Sequence, residues 1–101
     1  MRVAVTALVA LISSVASAPL LAQDVRYLAA NCANCHGTDG RSTTGAVPAL
    51  AGAQRAYFIE QMAAFKAGTR PATIMHQLAK GYSDQQIAML ADYFASQKPA
   101  K

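Results

Sequence analysis

Three stretches of this chain return apolar residues with a helical period, and everything between them lacks one. In the first, Val25, Leu28, Ala29 and Cys32 recur at i, i+3, i+4 and i+7, which draws one apolar stripe along a helix. Asp24 is placed to cap its start, and Gly37 suits a left-handed cap at its end. In the second, residues 55–67, Phe58, Met62 and Phe65 share a face while Glu60, Gln61 and Lys66 lie on others, and Gly68 marks the stop. The third begins most sharply. Ser83 followed by Gln86 is a capping box, Tyr82 is placed to staple onto Ile87 across it, and Ile87, Leu90, Ala91 and Phe94 form the stripe. That stripe runs out near Gln97, where Lys98 suits the negative end of a helix and Pro99 stops continuation.

The intervening segments read differently from each other. Residues 38–52 are rich in Gly, Ser, Thr and Pro, with Asp39-Gly40 as a turn signal, and predict a loop. Residues 68–81 take a new direction at Pro71, and 72–80 fit either a short helix or an ordered loop; this stretch holds Met75. Neither a two-residue alternation nor an internal repeat occurs, so the pattern predicts an all-α domain.

The first 22 residues belong to another class. Met1-Arg2 is followed by an almost continuous apolar run from residue 3 to 12 and then by small residues from 13 to 18, the layout of a secretory leader. Cleavage is expected after Ala22, because Pro19 is a poor residue to leave at a new N-terminus, which gives a leader at 1–22 and a domain at 23–101. The competing reading is an uncleaved anchor, since residues 3–22 carry no charge and approach the roughly 20 residues that span a bilayer. The serines and Pro19 weigh against it. An exported product places the domain in the periplasm, with no membrane span of its own.

Loss of Arg2 with the leader lowers the formal net charge from +4 to +3. The remaining cations are scattered without a basic run or interleaved aromatic residues, which excludes a nucleic-acid footprint. A domain of about 80 residues buries a modest core and needs a disulfide, a metal or a cofactor as a staple.

Two cysteines in an exported chain ordinarily read as one disulfide. The residue after the second changes that reading, because Cys32-Ala33-Asn34-Cys35-His36 matches C-x-x-C-H, the attachment pattern of c-type haem. On a helix the two thiols face the same way and can reach two vinyl groups on one porphyrin edge, while His36 can turn its imidazole toward the iron. Three other readings stand beside it. A thioredoxin-like dithiol wants its C-x-x-C after a strand, at a helix N-terminus. Structural zinc wants four suitably spaced ligands, and the chain has two cysteines and two histidines. A plain disulfide would leave His36 a bystander.

The chain resembles the class I c-type cytochromes of small bacterial, periplasmic kinds over residues 24–97. The likeness lies in Asn31-Cys32-Ala33-Asn34-Cys35-His36-Gly37, in Pro48-Ala49-Leu50-Ala51-Gly52, in residues 57–61 and 65–70, and in Leu90-Ala91-Asp92-Tyr93-Phe94. It implies an all-α fold with crossing first and last helices around one covalent haem c held by Cys32, Cys35 and His36. It also implies a methionine sulfur opposite His36 on the iron, presented from a loop late in the chain, and Met75 is the residue so placed. Met62 and Met89 fall on helix faces and read as packing. His76 is the second candidate for the iron, and otherwise a solvent-facing or hydrogen-bonded side chain. Pro48 resembles the proline whose carbonyl accepts a hydrogen bond from the iron-binding histidine. Tyr57, Tyr82 and Tyr93 are assigned no role beyond packing, Tyr93 against the first helix.

Residues 69–75 with Ala79-Lys80-Gly81-Tyr82-Ser83-Asp84 look most like the cytochrome subunit of flavocytochrome c sulfide dehydrogenases, which takes electrons from a flavoprotein. A free periplasmic single-electron carrier has the same sequence features. Carboxylates are few and dispersed, so no acid-base or nucleophilic grouping marks an enzyme. A haem catalyst or gas sensor is a third class, and it requires an open sixth position on the iron.

Overall fold

The computed structural model describes residues 24–101. The leader at 1–22, with its cleavage point and the competing anchor, lies outside the described residues. Within them the elements are α1 (Val25–His36), a 3₁₀ turn (Thr38–Gly40), α2 (Arg55–Ala67), α3 (Met75–Leu78), a second 3₁₀ turn (Ala79–Gly81) and α4 (Asp84–Ser96). No strand occurs among the described residues, and none of their helices is long and apolar enough to cross a membrane.

The caps explain the boundaries. Asp24 accepts from the Arg26 backbone N–H and starts α1. At α4, the Ser83 hydroxyl accepts from Gln86 N at 3.1 Å while Gln86 Oε1 accepts from Ser83 N at 2.9 Å, the reciprocal box expected from the sequence. Gly68 closes α2 in a left-handed conformation. Gly37 departs from expectation. Its φ of 82° is positive, but its ψ of 164° is extended, so it is not the left-handed cap that its type suggests. The Arg41 carbonyl packs against its α-carbon where a side chain would stand, and that close approach is what the glycine serves.

The helix stripes meet in one core. Leu28 and Ala29 from α1, Phe58 and Met62 from α2, Ala79, and Ile87, Leu90, Ala91 and Phe94 from α4 are all buried. Leu90 and Phe94 are fully so, and burial of each such side chain contributes about 2–3 kcal/mol. Helix α4 packs on both α1 and α2, and α2 also contacts α3 and the second 3₁₀ turn. Thus α4 is the element through which the two helical arms share a core. Phe58 and Phe94 join the arms, with ring centroids 5.6 Å apart.

The long loop after α1 is also fastened to α4. Gly40 is buried with φ +77°, and a β-carbon there would stand 2.9 Å from Phe94 Cδ1 and 2.8 Å from both Leu50 Cβ and Ala51 N. Beside it Asp39 takes φ 53°, a value that Asp tolerates better than most residues. Its carboxylate accepts from the Tyr93 hydroxyl at 2.5 Å and from Arg41 Nη1 at 3.1 Å. Arg41 Nε in turn donates to the Lys98 carbonyl at 2.7 Å. Tyr93 packs against the core, and its hydroxyl reaches the loop that follows α1.

This latch couples two titrations. The Tyr93 hydrogen bond holds the Asp39 carboxyl below the usual aspartate range, against an opposing effect of burial and with further help from Arg41. The same bond, with burial, pushes the Tyr93 phenol above its usual value. The Asp39 contribution is therefore complete above its unfolded pKa near 3.9 and lost as pH falls through the lower folded value. The Tyr93 contribution is complete below about 10 and lost as pH rises through the higher folded value. Urea unfolding of wild type and Tyr93→Phe is expected to show a stability gap that is level from about pH 5 to 9 and closes on either side. Gly40→Ala is expected to cost roughly 2–4 kcal/mol in the same measurement, from the positive φ and the overlap with Phe94 together.

Candidate functional site

The last turn of α1 delivers three of the residues singled out in the sequence. Cys32 is half-buried and packs against the core, Cys35 is exposed, and both thiols are free. Burial pushes the Cys32 thiol above its ordinary pKa. That is the reverse of a reactive dithiol, whose nucleophilic sulfur is activated by a lowered pKa. The pair also sits at a helix C-terminus, and no strand precedes it among the described residues. Nor do three or more His, Cys, Asp or Glu side chains converge as a metal cluster there. The dithiol and zinc readings each lose their structural requirement.

His36 ends α1 and is buried. Its Nδ1 lies 2.7 Å from the Pro48 carbonyl. A carbonyl oxygen only accepts, so Nδ1 carries the proton and donates, and a neutral ring then bears its lone pair on Nε2. One backbone carbonyl thereby selects the tautomer in which Nε2 is free to bind a metal. The loop makes this possible by folding back: the Gly40 carbonyl accepts from Leu50 N at 2.8 Å and from Ala51 N at 3.1 Å, just beyond Pro48.

Met75 comes from the other arm. The sequence placed it in an irregular segment; the structure makes it the first residue of α3, half-buried and packed against the core. The Ile74 carbonyl accepts from Gln77 N at 2.9 Å and from Leu78 N at 3.1 Å, enough for one turn of helix and no more. The segment is braced at both ends. Lys66 Nζ at the end of α2 donates to the Tyr82 carbonyl at 2.7 Å, and Arg70 turns back to Gln61 Oε1 at 2.6 Å with its guanidinium 4.6 Å from the Phe65 ring centre. Neither brace was visible in the sequence, because lysine and arginine spacing alone names no carbonyl partner. Met62 is buried in the core, which agrees with its reading as packing, and Met89 is half-buried. His76 is half-buried, and its Nδ1 is buried without a hydrogen-bond partner, unlike the solvated or bonded histidine expected as its ordinary state.

Between α1 and the segment that follows Ile74 lies an open cleft of about 680 Å³, lined by Leu28, Asn34, Cys35, Ile74, Leu78 and Tyr82 among others. It brings Cys35 beside Ile74 and Leu78, while His36 and Met75 themselves do not line it. Ile74 is 54% and Leu78 46% exposed, an unusual amount of aliphatic surface beside a cysteine. A haem fits this set of groups: two free thiols on one helix, an imidazole with its Nε2 lone pair released, a thioether, and apolar surface for a porphyrin to cover.

Residues 24–98 match the cytochrome c family. The chain is 39% identical over 69 residues to the cytochrome subunit of sulfide dehydrogenase of Chlorobaculum tepidum, covering 68% of this chain and 62% of that protein. It is 46% identical over 70 residues to cytochrome c4 of Pseudomonas aeruginosa, covering 69% of this chain and 35% of that one. With cytochrome c-554(548) of Halomonas halodenitrificans it shares 37% over 70 residues, 66% of this chain and 84% of the other. The chain thus spans under two thirds of the sulfide dehydrogenase subunit and about a third of the cytochrome c4. The helices, the C-x-x-C-H turn and the match over nearly every described residue agree: this chain belongs to the cytochrome c family, whose members bind haem c covalently.

Proposed function

We propose that the chain is a periplasmic single-electron carrier, exported by the leader at 1–22, with one haem c joined to Cys32 and Cys35 and its iron held between His36 and Met75. The observation that carries this reading is the 2.7 Å contact of His36 Nδ1 with the Pro48 carbonyl, one residue beyond a pair of free cysteines. When bound, the haem supplies an iron that changes between ferrous and ferric. The chain's own residues determine how.

Cys32 and Cys35 would hold the group covalently through their thiols. His36 Nε2 binds the iron while Pro48 keeps the ring in the required tautomer and makes it a stronger donor. Met75 would contribute its sulfur from a braced single turn, and a thioether paired with an imidazole would favour the reduced state relative to two imidazoles. The packed arms that carry His36 and Met75 would limit rearrangement as the charge of the bound group changes. This assigns the chain no catalytic step of its own.

A second reading has its own support. The similarity to the sulfide dehydrogenase subunit favours a monohaem cytochrome subunit that accepts electrons from a flavoprotein. Co-purification of a flavoprotein with the native chain selects that role, and a free monomer selects the carrier.

The axial ligands are testable directly. The oxidised protein is expected to show the weak long-wavelength absorption band of iron bound to methionine sulfur, and Met75→Ala is expected to lose it. If the band is missing from the wild type, His76 becomes the ligand to test. The reduced wild type is expected not to bind carbon monoxide, whereas Met75→Ala binds it; carbon monoxide on the wild type would instead indicate a catalyst or sensor with an open sixth position.

A further inference from the structure

Everything ascribed to His36 depends on the Pro48 carbonyl staying in place, yet Pro48 is exposed and lies in a loop of Gly, Ser and Thr outside any helix. Its support is indirect. The return limb of the loop hangs from the Gly40 carbonyl through Leu50 N and Ala51 N. Gly40 follows Asp39, the sole non-glycine residue with positive φ among the described residues. A strained residue of this kind persists where its surroundings hold it. One holding group, the Tyr93 hydroxyl on Asp39 Oδ1 at 2.5 Å, comes from the last turn of α4; the other, Arg41 of the loop itself, bridges Asp39 Oδ2 to the carbonyl of Lys98 just past that helix.

We propose that Tyr93 and Asp39 are positioning residues for His36, and that their hydrogen bond tunes the reduction potential of the iron. The path is continuous. Tyr93 holds Asp39 in its positive-φ conformation, Asp39 aims the Gly40 carbonyl at Leu50 and Ala51, and those two residues set the Pro48 carbonyl on His36 Nδ1. A hydrogen bond donated from Nδ1 leaves the ring more electron-rich and a stronger ligand to ferric iron. A slack loop weakens that bond, so the ferric state is less favoured and the potential rises. The proposal rests on the reading of His36 as an iron ligand, and it assigns to residues 54 positions apart a function that neither shows alone.

The test uses the haem-loaded full-length protein and two readouts: the reduction potential, and the exchange rate of the His36 ring N–H followed by NMR in the reduced state. Tyr93→Phe and Asp39→Ala are expected to raise the potential and speed the exchange, with the double variant no further shifted than the larger single one. Asp39→Asn, which keeps an acceptor and tolerates positive φ, is expected to stay near wild type. Ser83→Ala removes the cap at the opposite end of α4 and is expected to leave both readouts unchanged. The proposal is overturned if Tyr93→Phe leaves both readouts at wild-type values, or if Ser83→Ala moves them as much, since either result reduces the latch to general stability. If the His36→Ala variant keeps the wild-type axial spectrum, the functional reading fails and takes the proposal with it. A silent Tyr93→Phe in a protein whose spectrum does depend on His36 sinks the positioning role alone.

Discussion

The hydrogen bond from His36 Nδ1 to the Pro48 carbonyl is the constraint around which the rest of the chain is arranged. To make it, the polypeptide must leave α1, reverse and return across the end of its own last helical turn. That reversal demands a glycine where the Arg41 carbonyl comes close, two consecutive positive-φ residues at Asp39 and Gly40, and backbone pairs from Gly40 to Leu50 and Ala51. None of these turns has a hydrophobic core of its own. Their fixed point is α4, which receives Gly40 against Phe94, accepts Gly52 N on the Phe94 carbonyl at 2.8 Å, and reaches Asp39 through Tyr93. The same helix packs on α1 and α2, so the element that completes the core also steadies the loop that carries Pro48.

This division of labour suits an electron-transfer protein. One arm presents two thiols and an imidazole from the end of a long helix; the other presents a methionine from a four-residue helix braced by Lys66 and Arg70. The two arms meet through Phe58, Leu90 and Phe94, a core too small to be generous, in a domain where a covalent cofactor is the natural staple. The exposed Ile74 and Leu78 beside Cys35 make physical sense as surface that a porphyrin covers.

The helices with strong periodicity and matched caps were legible in the sequence. The capping box at Ser83 and Gln86, the stripe from Ile87 to Phe94 and the stop at Gly68 depend on residues within a few positions of each other, and local chemistry decides them. The segment around Met75 was ambiguous because α3 has one turn and no buried stripe, so its form is set by α2 and not by its own pattern. Gly37 has the residue type of a left-handed cap and is not one, because a tertiary contact with Arg41 overrides the usual local solution. The C-x-x-C-H turn announces its own chemistry. The Tyr93 latch does not: an aromatic residue on a helix face looks the same whether its hydroxyl meets solvent or a carboxylate far away in the chain.

Proton NMR of the reduced, haem-loaded protein tests the central claim most directly, because a methionine methyl bound above a porphyrin ring is shifted far upfield by the ring current. The account predicts one such methyl resonance, present in wild type and Met62→Leu and absent from Met75→Ala. No upfield methyl in the wild type, or one that survives in Met75→Ala, would contradict it.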